Sequence, residues 1–343
     1  MSAETALQIL KEKLNEKEVH SSISFDDFIK LASKNPNNIF RNIFQLFSDM
    51  IQVYIGEGID EYPDDPDSIN YIKYDCKYLF VEGTDTPFLA DRPFANRLVN
   101  LAKSFREGGQ RNTIYIFEGP TGSGKSTFLN NLLLKLEEFT NTDQGFTYEI
   151  IWKIDRKEVG NYRRRDIIPD NFYTNNLIFS NDDNPNQIDD LHKFMSDSST
   201  LEIPCPSHDN PILAIPKQFR KEFIDNFIED DKFKEKLFNR KEYEWVFKNE
   251  LCTICNSIYQ TLLDKMSSPA GIFKMIYVRK YQFNRKLGEG ISVYNPGDRI
   301  LKQPLTNPIL QKMLNNLFRD SNTVQYFFSE LAKTNNGIYS IMD

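Results

Sequence analysis

The chain has 343 residues, 40% of them hydrophobic and 13% aromatic, and its 42 Lys and Arg against 49 Asp and Glu leave a formal charge of −7. That apolar content, with 27 Phe and 16 Tyr, excludes an intrinsically disordered chain and fills one large core or two smaller ones at roughly 150 residues per domain. The mild acidity speaks against a surface that tracks nucleic acid, and no apolar run approaches the ~20 residues of a membrane-spanning helix. Four Cys are too few for a disulfide scaffold, and the charge-rich opening MSAETALQILKEKLNEKEVH lacks the apolar core of a secretory signal. The expectation is a cytoplasmic protein in a reducing compartment, where clustered Cys and His serve as metal ligands.

Residues 1–85 read as a helical N-terminal region. Ser24-Phe-Asp-Asp27 has the form of a capping box, followed by Phe25, Phe28, Ile29 and Leu31 as the buried stripe of a helix that Asn35-Pro36 stops. Ile39, Phe40, Ile43, Phe44, Phe47, Met50 and Ile51 recur at spacings of three and four, which predicts a second helix with these residues in the core. Gly56–Asp67 is a loop, and Cys76 stands alone as a core residue. Residues 86–343 form the second unit. Leu89–Phe105 predicts a helix ended by Gly108-Gly109, Thr113–Phe117 a buried parallel strand, Phe128–Phe139 a helix, and Tyr148–Ile154 another strand. Strand, loop, helix and strand in that order predict one right-handed parallel unit, and hence an α/β P-loop core with a parallel sheet. An insertion over about 156–336 interrupts it. Its first part, 156–200, with the Arg163–Arg165 triplet, reads as solvated; 212–265 is helical, Met275–Phe283 a strand, Gly288–Gly297 a loop, Ile309–Phe318 a helix and Gly337–Met342 a closing strand.

Gly119, Pro120, Thr121, Gly122, Ser123, Gly124, Lys125, Ser126 and Thr127 satisfy Gly-x-x-x-x-Gly-Lys-[Ser/Thr] between a predicted strand and a predicted helix. Backbone amides converge on a phosphate only where the loop is tight, which the glycines permit, and the helix start adds its free N–H groups to the same anion. Lys125 then reaches the β- and γ-phosphates of ATP, and the Ser126 hydroxyl ligates Mg²⁺. Such a site also needs a carboxylate at a strand end for Mg²⁺ or the attacking water. Asp155 and Asp343 both qualify by spacing, and Glu118 reads as a structural residue at the strand end.

Cys205-Pro-Ser-His208 and Cys252-Thr-Ile-Cys255 pair a Cys-x-x-His with a Cys-x-x-Cys. Together they offer the four N and S donors of a closed, structural zinc site. Buried cysteines and a hydrogen-bonded histidine without metal are the competing reading.

These segments together resemble the PrkA family, bacterial proteins named as serine protein kinases whose N-terminal half is an AAA-type P-loop ATPase module. The resemblance is carried by Ser24-Phe-Asp-Asp-Phe28, the loop Glu118–Ser126, Thr142-Asp-Gln-Gly145, Cys205-Pro-Ser-His-Asp-Asn-Pro211 with Ile215-Pro216, Gly290–Pro296, and Glu330-Leu-Ala-Lys-Thr-Asn-Asn-Gly337. It implies an AAA-type fold, an oligomeric assembly and a protein partner or substrate. It also implies that the strand after the Asn-Gly segment is the Walker B strand, so that Asp343, where the family usually has Glu, becomes the catalytic carboxylate beside Lys125. The family pattern continues beyond Asp343 into the rest of the ATPase core and a kinase-like domain, so the chain is expected to be a fragment, and kinase activity is not expected of these residues. Two further readings stay open: a nucleotide-sensing module without turnover, and a P-loop small-molecule kinase using Arg163–Arg165 as its lid.

Overall fold

The computed structural model describes residues 22–64, 72–107, 114–155, 159, 200–266, 269–295, 305–318 and 324–342. The Arg163–Arg165 triplet, the solvated segment expected over most of 156–200, and Asp343 lie outside the described residues.

Strand β1 (Ile23–Ser24) leads into α1 (Phe25–Lys34). The expected capping box forms as a side-chain pair: Ser24 Oγ accepts from the Asp27 amide at 3.2 Å and donates to its carboxylate at 2.7 Å. The helix expected from Ile39 onward is split into α2 (Pro36–Ile39) and α3 (Ile43–Ile55). The break has a local cause, because Asn42 accepts from the Phe44 and Gln45 amides while the Gln45 side chain accepts from the Asn42 amide, a complete capping box that starts a new helix. A short α4 (Lys77–Phe80) precedes α5 (Arg92–Arg106), which Asp91 caps by accepting from the Phe94 amide at 2.7 Å. Next comes α6 (Lys125–Thr140), the helix expected after the glycine loop.

Strand β2 (Thr147–Asp155) is buried along almost its whole length. It pairs antiparallel with β3 (Thr200–Pro204) on one edge. After a 3₁₀ turn at Pro211–Ala214 come α7 (Lys217–Phe227), α8 (Asp231–Asn239), α9 (Glu244–Lys248), α10 (Thr253–Met266) and α11 (Pro269–Phe273). They return the chain to β4 (Ile276–Tyr281), which pairs antiparallel with the other edge of β2 and with β1. The sheet order is therefore β1, β4, β2, β3. Strand β5 (Ile291–Tyr294), then β6 (Leu305–Thr306), α12 (Pro308–Phe318), β7 (Phe327–Phe328), α13 (Glu330–Lys333) and β8 (Ile338–Ile341) complete the chain. β5 occupies the stretch expected as a loop over Gly288–Gly297, and it pairs parallel with β8, Ile291 opposite Ile338.

The architecture is mixed α/β with an antiparallel main sheet. The parallel unit read from 113–154 is not present among the described residues: Ile114–Phe117 makes no strand ladder and stays exposed, while both edges of β2 carry antiparallel neighbours. Its apolar run reflects burial on both faces, which an antiparallel central strand shares with a parallel one.

Two apolar clusters hold the fold. The first joins the faces of the sheet to α1, α7, α8, α10 and α12, with Trp152, Phe28, Phe233 and Phe318 fully buried. The second packs Leu46, Met50, Phe80, Leu98, Phe128, Leu133, Leu136 and Phe139 of α3–α6 with Tyr281, Phe283 and Ile291. Cys76 packs half-buried against that cluster. Among the described residues no helix is long and apolar enough to cross a membrane.

Candidate functional sites

The glycine loop turns from the exposed Ile114–Phe117 segment into α6. Gly122 and Gly124 both hold left-handed backbone, φ 79° and 80°, which costs an L side chain roughly 1–2 kcal/mol and glycine nothing. Gly124 is the N-cap of α6, and no side chain accepts from the first turn, so the opening amides of a 16-residue helix are left to other acceptors. Lys125 folds over the loop and donates to the carbonyls of Gly119 at 2.7 Å and Pro120 at 2.9 Å. The Ser126 residue is exposed. The loop residues thus stand together as the sequence requires. Of the two carboxylates read from spacing, Asp155 ends β2 in the antiparallel sheet, and Asp343 follows β8 just outside the described residues.

A second constellation lies where β3 and α10 approach each other. Cys205, directly after β3, meets Cys252 and Cys255 at the start of α10, and Asp209 joins them; one donor atom of each lies within 4.8 Å of all the others. The sulfurs of Cys205 and Cys252 are 3.8 Å apart, the edge length of a tetrahedron around an ion with metal–sulfur distances of about 2.3 Å. Each sulfur also receives one N–H: Cys205 from the Asp209 amide at 3.3 Å, Cys252 from the Cys255 amide at 3.4 Å, and Cys255 from Trp152 Nε1 at 3.3 Å. Donors arranged in this way stabilise thiolates rather than thiols. Burial pushes the Cys205 and Cys255 thiols up. The Cys252 thiol is drawn down by hydrogen bonds from those two neighbours, so it is the first to ionise. Burial, with the charge of Cys252 beside it, raises Asp209 to about 7, although the Cys252 amide donates to its Oδ2 at 2.8 Å.

The expected fourth ligand was His208, and the structure replaces it with Asp209. His208 sits in the left-handed region, φ 49°, which turns its ring away from the sulfurs. The ring stacks on Tyr281 with centroids 3.9 Å apart and planes 13° from parallel. Nδ1 lies 2.6 Å from Glu149 Oε2 and Nε2 lies 3.0 Å from Glu289 Oε2. Glu149 in turn takes Arg279 Nε at 2.5 Å, and Glu289 takes Lys333 Nζ at 3.2 Å. Burial opposes the charged imidazolium, but the two carboxylates outweigh it and raise the His208 pKa. The result is a row of alternating charge, Arg279, Glu149, His208, Glu289 and Lys333, running from the sheet to α13. The sequence signal for Asp209 is only a Cys-x-x-x-Asp spacing, and an aspartate beside a histidine is too common to single out.

Protein-family models, curated proteins and solved structures were all compared with this chain. None matches it.

Proposed function

We propose that this chain is an ATP-binding P-loop module of the AAA type, similar to the N-terminal half of a PrkA-like serine protein kinase, with a structural zinc ion. The observation that carries the nucleotide reading is the loop Gly119–Thr127: two glycines in left-handed backbone deliver the chain to an uncapped helix, with the Lys125 ammonium held on loop carbonyls that a phosphate would displace. In this reading the amides from Gly122 to Thr127 cradle the β-phosphate, Lys125 carries the positive charge to the β- and γ-phosphates, and the Ser126 hydroxyl holds Mg²⁺. Asp343 supplies the carboxylate for hydrolysis. The zinc reading rests on three thiols and a carboxylate, a closed donor set whose role is to hold two segments together rather than to activate water. The resemblance further implies a homo-oligomer acting on or with a protein partner in the cytoplasm, driving or regulating a kinase-like domain.

ATP binding by calorimetry and phosphate release, each beside Lys125→Ala, test the nucleotide reading. Loss of one charge-assisted contact predicts at least about tenfold weaker binding in the variant; equal affinity of the two proteins would remove Lys125 and the loop from the site. A second reading, binding without turnover, is favoured by the exposure of Ile114–Phe117, the segment that carries the loop, outside any strand. ATP bound and not hydrolysed selects it.

A further inference from the structure

Pro204 and the loop that supplies Cys205 and Asp209 make two direct connections to the segment that leads into β8 and a third through Glu289. The Pro204 carbonyl accepts from Tyr326 Oη at 3.1 Å. The Ser207 carbonyl accepts from Asn335 Nδ2 at 2.7 Å. His208, between Asp209 and Ser207 in sequence, lies 3.0 Å from Glu289, which is paired with Lys333 at 3.2 Å. On the far side, the Lys333 carbonyl accepts from the Gly290 amide at 2.9 Å and from Tyr281 Oη at 3.0 Å. The turn Thr334–Gly337 is thus held from three sides: by the Ser207 carbonyl through Asn335, by α3, whose Ile43 amide donates to Asn336 Oδ1 at 2.8 Å, and by β5, where the Ile338 amide donates to the Gly290 carbonyl at 2.8 Å; the first of these depends on the loop that carries Cys205 and Asp209.

The four donors are buried or half-buried together, with one donor atom of each within 4.8 Å of all the others. A dication held by all four would tie the loop after β3 to the start of α10.

We propose that a thiophilic divalent cation of the zinc class, held by Cys205, Asp209, Cys252 and Cys255, acts as a clamp on the turn Thr334–Gly337 and on β8, transmitted by His208 through Glu289 and by Ser207 through Asn335. The proposal rests on the zinc part of the reading above and is independent of its nucleotide part. His208 is a positioning residue here: it touches no metal, and it transfers the shape of the metal loop to α13.

The test combines elemental analysis with hydrogen exchange on the whole chain purified under reducing conditions. The expected results are about one zinc per chain in the wild type, and metal affinity weakened at least about tenfold in Asp209→Ala. Removing the metal with a chelator should speed amide exchange over 333–341 by about tenfold or more and leave α6 unchanged. His208→Ala should keep its zinc and yet show the faster exchange over 333–341, and this variant decides the matter even if the chelated wild type unfolds altogether. A wild type that carries no metal would end both the zinc reading and the clamp. Zinc bound with no change at 333–341 in His208→Ala would end the clamp alone. Loss of zinc in His208→Ala would make the histidine a ligand and overturn the assignment of Asp209.

Discussion

Arg220 shows how a single side chain organises a region that sequence periodicity leaves vague. It is 1% exposed, and its guanidinium donates to four carbonyls: Ile215 at 3.0 Å, Val246 at 2.6 Å, Asn249 at 2.8 Å and Leu213 at 3.1 Å. These come from the 3₁₀ segment and its C-cap and from α9 and its C-cap, so one cation satisfies the orphan carbonyls at the ends of two elements. Burial lowers its pKa to about 10, which still leaves it charged at neutral pH. Lysine has no planar fork to reach four acceptors, so Arg220→Lys should lose about 3 kcal/mol, seen as a lower midpoint in urea with an unchanged slope. The same lesson separates the two candidate sites. The turn of the glycine loop was legible because left-handed backbone at the start of a helix needs glycine at fixed offsets, and Gly122 and Gly124 stand there. The fourth donor of the cysteine cluster was not, because the choice between His208 and Asp209 is made by one left-handed residue and by Glu149 and Glu289, which stand far away in sequence.

At the scale of elements, helices were read well and pairings were not. α1, α5, α6 and α12 lie close to where apolar spacing and caps put them, since both signals are local. Strand β2 was also found, but its neighbours were not: an apolar run tells that both faces are covered and says nothing about the direction of the partner. β5 escaped notice because it is four residues long and borders glycines, and only β8 makes it a strand. That pairing gives a sharp prediction. Gly337 approaches Gly290 so closely that an added Cβ would sit 1.9 Å from the Gly290 carbonyl oxygen. Gly337→Ala should therefore break the register of β5 and β8 and cost more than about 2 kcal/mol, read by denaturation. Stability equal to that of the wild type would show that the two strands can separate without consequence for the rest of the fold.

At the scale of the whole molecule, the two readings fall on different cores. The glycine loop opens α6, which belongs to the second cluster, and the three cysteines lie in or against the first, with β4 and the His208 and Tyr281 stack between them. If the cysteines hold the proposed ion, removing it should weaken the first cluster before it touches the glycine loop. The chain has 2 Trp, and Trp152 donates to Cys255 at 3.3 Å, so in a Trp245→Phe background the emission of Trp152 reports directly on the metal donors. Chelation should change that emission and lower the melting temperature by at least about 5 °C. An unchanged melting temperature would show that the four donors fold without an ion.

The order of strands in the main sheet also has a meaning in time. β4 lies between β1 and β2, with Ile23 opposite Val278 on one edge and Ile150 opposite the same Val278 on the other. As the chain leaves the ribosome, the first strand emerges hundreds of residues before the partner it needs, and β2 must wait through most of the remaining synthesis with one edge open. Pairings so distant in sequence form slowly, and an apolar strand left waiting is a target for other chains. The half-made protein is thus the form most exposed to aggregation, and its yield in the cell should rise when synthesis is slowed or when chaperones that shield unpaired strands are abundant.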